Sequence, residues 1–306
     1  MEYTLIIDGG AGRVVTAIPA LEKFVERNPK TNILVNYWTP ILWGNSKLQD
    51  LVFDDSTKGL FDKIKDTKVF KPEPYYNSAY NNGQINLVEA FNLEINAVLE
   101  FSKPILHVTP FDSIPFENDI SKVPARKKKI VGFQPFGSTA NINGDDVTDD
   151  TYRSLSLKNT RKILSALKQK YTVVIFVHSK FAHLFQQNLE GCIVVTDVPG
   201  IRYWMAAAKR CDYIVGIDSV VQHMAYSFDV PGSIIMGSTN TVNVTYPSWF
   251  TVFEKENKGK KYFPMRFCEF DIYLSKMVNH DCINFSEDEM NYIIEQIMED
   301  IKNKTS

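Results

Sequence analysis

The chain is poor in the features that tie a protein to a metal, a membrane or a polyanion. Only four of its 306 residues are cysteine (Cys192, Cys211, Cys268 and Cys282), and no two are spaced as CxxC. That pattern excludes a zinc ribbon or a disulfide framework and points to reduced, buried thiols in a cytoplasmic protein. No apolar run approaches the roughly 20 residues that span a bilayer. No basic segment leads into an apolar stretch at the N-terminus, so neither a secretory leader nor integral membrane association is expected. Thirty-four Lys and Arg face 36 Asp and Glu, a net charge of −2. Hence no global positive field holds nucleic acid non-specifically. There is no repeat of solenoid period and no low-complexity tract.

What is present is length, apolar content and alternation. A chain of 306 residues, 44% hydrophobic, can bury two cores of ordinary size. A short apolar run ends at Asp8, a glycine turn follows, and Ile18, Leu21, Phe24 and Val25 recur at helical spacing. Pro19 suits an early helical position, where its missing N–H costs little. Further strands are expected at 32–37, before the prolines of 65–76, and at 105–109, with a helix over 86–100. Residues 110–129, rich in proline and charge, have the composition of a linker. Beyond it the alternation restarts, with strands at 130–135, 171–177, 192–196, 213–216 and 233–236. Helices are expected at 156–170, 201–209 and 222–228. Ser286 and Glu289 form a capping-box pattern that opens a last amphipathic helix.

The expected fold class is therefore α/β, with two Rossmann-like doubly wound domains. The division runs 1–125 and 126–284, with 285–306 a helix packing back across the domains. Ligands of such sheets sit beyond the carboxyl ends of the strands, and with two domains the expected site is the cleft between them.

Three stretches carry chemistry. GGAGR at 9–13 is a glycine turn between strand and helix, which ordinarily receives an anion, yet Arg13 stands just inside the helix. QPFGST at 134–139, with Arg153 further on, supplies backbone and hydroxyl donors and a fixed positive charge suited to phosphate. In GIDSVVQH at 216–223, Asp218 and Ser219 are good helix N-caps, and the helix start behind them suits phosphate. His223, one turn on, can share the cleft with Ser219. His178 ends a buried strand and either faces a ligand or caps the sheet. The basic runs 126–129 and 258–261, together with Arg266, are either solvated faces or cations for a phosphate.

These motifs together resemble glycosyltransferase family 9, the heptosyltransferase-like group with the GT-B fold, and within it phage-encoded members. The resemblance lies in the opening loop Gly10–Arg13 and its helix, in IVGFQPFGST, and in residues 211–239 with D-S-V-x-x-H-x-A. It implies a nucleotide-sugar donor held by Ser138, Thr139, Arg153, His178, Asp218, Ser219 and His223. Gly10, Gly12, Trp38, Tyr75 and Tyr76 fall on the acceptor side. It implies no metal and no cofactor beyond the nucleotide-sugar co-substrate, in keeping with the absence of a DxD triplet. Two departures stand out. Arg13 occupies the place of the family's aspartate base and cannot act as one, so Arg13 either clamps the donor phosphates or an anionic acceptor, or is a surface arginine paired with a nearby acid. Asp8 becomes the candidate base, with Asp112 and Glu73 behind it. Val220 replaces the signature glycine.

The expected reaction is transfer of a sugar to an acceptor hydroxyl with inversion. The acceptor is either DNA carrying hydroxymethylcytosine or another hydroxymethylated pyrimidine, or a saccharide of lipopolysaccharide type. A nucleotide-sugar-binding GT-B protein without turnover and a nucleotide-sugar epimerase are the rival classes.

Overall fold

Residues 2–186, 190–255 and 282–305 are described by a computed structural model. Cys268, the 258–261 basic run, Arg266 and His280 lie outside these described residues. The chain divides into two compact units, Met1–Thr109 and Pro110–Ser306.

In the first unit the apolar run forms β1 (Tyr3–Ile7). Gly9 turns the chain at a φ of +91°, which favours glycine, and α1 (Ala11–Arg27) begins at once. Next come β2 (Thr31–Val35), β3 (Val52–Phe53), α2 (Leu60–Ile64), β4 (Lys68–Phe70), α3 (Ser78–Asn81) and α4 (Leu87–Asn96). The strands are all parallel, in the order β3-β2-β1-β4. Leu5 of β1 is flanked by Ile33 and Phe70. Val14, Ile18 and Leu21 of α1 and Val88 and Phe91 of α4 are fully buried, and the two helices pack together. The first strand thus lies inside the sheet, and the switch point of this order falls between β1 and β4. Two expectations are corrected here. Pro19 lies well inside α1, because the helix starts directly at the glycine turn. Residues 105–109 form no strand. Two others come out shorter than expected: β2 ends at Val35, and α4 ends at Ala97 in a left-handed C-cap.

The second unit opens not with a linker but with α5 (Pro110–Ser121). Its prolines mislead: Pro110 sits at the helix start, where no N–H is required. Phe116 and Ile120 recur one turn apart and are buried. The division expected at 125/126 falls beyond this helix. The strands and helices that follow are β5 (Ile130–Phe133), β6 (Asn141–Asn143), β7 (Asp146–Thr148), α6 (Leu157–Lys170), β8 (Thr172–Phe176), β9 (Cys192–Val195), α7 (Ile201–Arg210), β10 (Tyr213–Ile217), α8 (Val220–Ser227), β11 (Gly232–Ile235), α9 (Thr241–Val244), β12 (Thr251–Phe253) and α10 (Glu287–Lys304). α5 packs on α7, where Arg202 forms an ion pair with Asp112 and Tyr203 donates to Asp119 at 2.7 Å.

Six parallel strands run β12-β11-β10-β5-β8-β9, and β6 and β7 form a separate antiparallel hairpin. Numbered by their order along the chain, the six strands read 6-5-4-1-2-3, the dinucleotide-fold order, with its switch point between β5 and β10. Val131, Phe133, Val173, Ile175, Tyr213 and Val215 form the sheet side of the core. The Ser286–Glu289 capping box is present, and Met290, Ile293, Ile297 and Ile301 of α10 are buried; α10 packs against α6 and β11. β12 and the β6–β7 hairpin were not legible, being only three residues long each.

Candidate functional site

In the second unit the site grows from the switch point. β5 and β10 are neighbours, so the chain leaving Phe133 and the chain leaving Ile217 emerge side by side. Gln134, almost wholly buried, bridges them. Its Nε2 donates to Ser219 Oγ at 2.9 Å, and its Oε1 accepts the Val221 N–H at 3.2 Å. Ser219 is the N-cap residue of α8 but its own side chain makes no cap bond. Gln134 therefore takes an N–H that a bound anion would otherwise receive.

The loop after β5 is built around Asp149. Its Oδ1 accepts from Thr139 Oγ1 at 3.0 Å and from Thr151 N at 2.9 Å; its Oδ2 accepts from Ser154 N at 3.1 Å and Ser154 Oγ at 2.6 Å. Burial works to raise the Asp149 pKa, but hydrogen bonds from Ser154 and Thr151 prevail and hold it below the ordinary value. Ser154 Oγ in turn accepts the Gly137 N–H at 2.9 Å. Gly237 passes so close to Tyr152 O that a Cβ there would lie 2.0 Å away, and Ser238 N donates to that oxygen at 3.1 Å. The loops after β5 and β11 are thus locked together.

This scaffold aims Arg153. Its Nε donates to Thr151 Oγ1 at 3.0 Å, its Nη2 reaches Thr139 Oγ1 at 3.4 Å, and its Nη1 lies 3.6 Å from Asp218 Oδ2. Thr139, Arg153, Asp218 and Ser219 thus share one edge. Ser138 and Thr139 are exposed there, and the Arg153 side chain keeps 22% of its surface. Burial raises the Asp218 pKa, against the pull of Arg153 and the Thr239 hydroxyl. Gln222 Nε2 donates to Asp218 Oδ1 at 3.2 Å and to Val244 O at 3.0 Å. His223 is buried, which lowers its pKa to about 4, so it is a neutral imidazole at pH 7. Its Nδ1 lies 2.8 Å from the Tyr246 hydroxyl, and Tyr246 stacks on Tyr226 at 3.8 Å. His178 lies on the β8 end of the same edge, with Nε2 3.1 Å from Asp197 Oδ2.

The first unit's switch point is filled differently. Arg13, 5% exposed, donates from Nη1 and Nη2 to the two Glu73 oxygens at 2.9 and 3.2 Å and from Nη2 to Pro72 O at 3.0 Å. Asp8 Oδ1 is 3.5 Å from Nη2, and Lys71 Nζ is 2.6 Å from Asp8 Oδ2. The guanidinium lies over Tyr75, 4.7 Å from the ring centre. Burial alone would lower its pKa, but Tyr75, Glu73 and Asp8 together raise it, so it is a fixed cation. Of the expected acceptor-side residues, Gly10 is the N-cap of α1, Gly12 lies in its first turn, and Trp38 donates to Gly9 O at 2.9 Å. Tyr75 is buried beneath Arg13, whereas Tyr76 is 45% exposed. The three candidate carboxylates all face cations: Asp8 has Arg13 and Lys71, Glu73 has Arg13, and Asp112 has Arg202. Asp112 belongs to the second unit.

No family model and no curated protein sequence matches the chain. Solved structures do. A family 9 glycosyltransferase from Veillonella parvula DSM 2008 superposes with a TM-score of 0.68 at 14% identity, covering 98% of this chain and 97% of the other. ADP-heptose lipopolysaccharide heptosyltransferase II of E. coli gives 0.56 at 12% identity, with 97% and 99% covered. The dodecameric iron-containing glycosyltransferase TibC from enterotoxigenic E. coli gives 0.59 at 11%, with 99% and 78% covered. The chain has the GT-B fold. Within this GT-B chain, the described residues include no group of three or more His, Cys, Asp or Glu side chains placed to hold a metal. Nor do they include a helix long and apolar enough to cross a membrane.

Sequence reasoning missed Gln134, Asp149, Gln222 and Tyr246. Gln134 and Gln222 lay inside quoted motifs, but their roles depend on contacts 87 and 22 residues away. Asp149 left one usable signal: an acidic residue between hydroxyl side chains (TDDTYRS), as in an Asx-type turn.

Proposed function

We propose that this protein is a glycosyltransferase that moves a sugar from a nucleotide-sugar donor to an acceptor hydroxyl, without a metal and with inversion. The observation that carries the reading is the meeting of Arg153, Thr139, Asp218 and Ser219 at the β5/β10 switch point of a GT-B fold. An exposed hydroxyl-bearing loop beside a fixed cation suits a diphosphate leaving group. In the reaction the acceptor oxygen attacks the anomeric carbon, the bond to the diphosphate breaks, and the diphosphate leaves with its electron pair toward Arg153. The acceptor's proton passes to a carboxylate base; within the first unit Arg13 holds the candidates Asp8 and Glu73 in place.

The TibC structure solved with ADP-D-β-D-heptose and the lipopolysaccharide enzyme named above favour an ADP-sugar and a saccharide acceptor. A DNA acceptor gains nothing from these likenesses. The buried free thiols of Cys192, Cys211 and Cys282 support a reducing, cytoplasmic setting. Thermal-shift binding with a panel of nucleoside diphosphates and their sugars, ADP-sugars first, tests the reading. A nucleotide-selective rise in Tm that Arg153→Met and Asp218→Asn each abolish is expected. No rise with any nucleotide at millimolar concentration would overturn it. Donor binding without transfer to any saccharide would favour the non-catalytic alternative, which the cations around Asp8 make worth testing.

A further inference from the structure

The second unit holds one buried carboxylate that the proposed reaction leaves without a part. Asp149 gathers the hydroxyls of Thr139, Thr151 and Ser154, and the two threonine hydroxyls also meet Arg153. Proton counting decides which way these bonds run. A threonine hydroxyl has one proton, and a guanidinium nitrogen only donates. Thr151 Oγ1 lies 2.6 Å from Asp149 Oδ1, an ionised acceptor, so its proton points there. Its lone pairs are left to receive Arg153 Nε at 3.0 Å. Thr139 Oγ1 lies 3.0 Å from the same carboxylate oxygen and 3.1 Å from Thr151 Oγ1. Both destinations for its proton are inside the cluster, so Thr139 likewise meets Arg153 Nη2 as an acceptor. Thr139, expected from the sequence to hold a diphosphate oxygen, therefore has its proton committed elsewhere. The backbone ahead of Arg153 is fixed as well. Tyr152 stands at a φ of +50°, in the left-handed region that bulky residues avoid unless their surroundings over-determine it. Ser238 supplies that constraint: its Oγ donates to Thr151 O at 2.5 Å and its N to Tyr152 O at 3.1 Å.

We propose that Asp149 is a positioning residue: it turns the hydroxyls of Thr139 and Thr151 so that their lone pairs hold the Arg153 guanidinium toward the donor's diphosphate. Asp149 itself is kept from rotating by its other oxygen, which accepts Ser154 N at 3.1 Å and Ser154 Oγ at 2.6 Å. The diphosphate belongs to the glycosyltransferase reading, on which this role rests; the hold on Arg153 needs no ligand.

Two measurements on the full chain test it. The first uses no ligand and follows the Arg153 Nε–H signal by proton–nitrogen NMR, assigned through its loss in Arg153→Met. Slow exchange with water is expected in the parent and in Thr151→Ser, which keeps the hydroxyl. Fast exchange is expected in Asp149→Asn and in Thr151→Val. The second compares ADP with adenosine by calorimetric titration. Asp149→Asn should weaken ADP binding about tenfold, the worth of one charge-assisted hydrogen bond, and leave adenosine unchanged. In an Arg153→Met background the same substitution should change neither. Thr151→Val leaves the carboxylate in place and carries both measurements if Asp149→Asn does not fold. An unaltered Arg153 signal in Thr151→Val would overturn the proposal. Equal losses for ADP and adenosine, or a further loss of ADP affinity in the absence of Arg153, would do the same, because a merely structural carboxylate predicts them. Binding of neither ligand by the parent, with the Arg153 signal behaving as expected, sinks the donor reading and leaves the hold on Arg153 standing.

Discussion

Asp218 and His223 lie within two turns of each other, and burial disfavours the charged form of both, so it shifts their pKa values in opposite directions. For His223 the folded value of about 4 lies below the ordinary 6.5, so between these values the unfolded chain binds more protons. Stability is then complete above pH 6.5 and is lost as pH falls toward 4, by about 3 kcal/mol in all. Asp218 tilts the other way, because a raised carboxyl pKa lowers stability as pH rises through and above 3.8. The His223 contribution is therefore read as a difference. Urea midpoints of His223→Gln should vary less between pH 6.5 and 4 than those of the parent, and parallel curves would refute the buried neutral imidazole. At Arg13 the expected effect is on stability. Arg13→Met strands Glu73 and Asp8 and should cost about 3 kcal/mol. Arg13→Lys keeps the charge but loses the two-pronged bond to Glu73, so it should cost less by urea denaturation.

At the scale of elements, the loops at the switch points matter more than the helices beside them. α8 starts without a cap from its own N-cap residue, and Gln134 supplies it from the loop after β5. Gln134→Ala should therefore cost about 1–2 kcal/mol of stability, measurable by denaturant midpoint. It should also change nucleotide affinity, because it frees both the Val221 N–H and the Ser219 hydroxyl. No loss of stability would show that α8 forms independently of the β5 loop. The sequence made these elements unequally legible. β8 and β10 were readable because buried parallel strands are continuous apolar runs, and α10 because its capping box stands in the sequence. α5 was masked by its prolines, and residues 105–109 carried strand-like composition without a sheet neighbour to pair with. Tyr37 left no sequence signal of its exposure or of its left-handed backbone.

For the molecule as a whole, two units with separate sheets predict unfolding that is not two-state. In calorimetry a bound nucleoside diphosphate should raise the transition of the second unit, and Arg13→Met should lower that of the first. A single transition moved equally by both would show that the units unfold together. The sequence by itself determined the α/β class, the order of most strands and helices, and the motifs that meet at the second switch point. These are local properties of periodicity, capping and composition. Tertiary structure decided the rest. Strand order put β1 beside β4 and β5 beside β10, and so chose which loops face each other. It supplied Glu73 and Asp8 as the partners of Arg13, made Gln134 the cap of α8, and left Tyr37 in solvent. Each outcome depends on which distant residue arrives at hydrogen-bonding distance, and the sheet's neighbour relations, rather than any local stretch of sequence, set that.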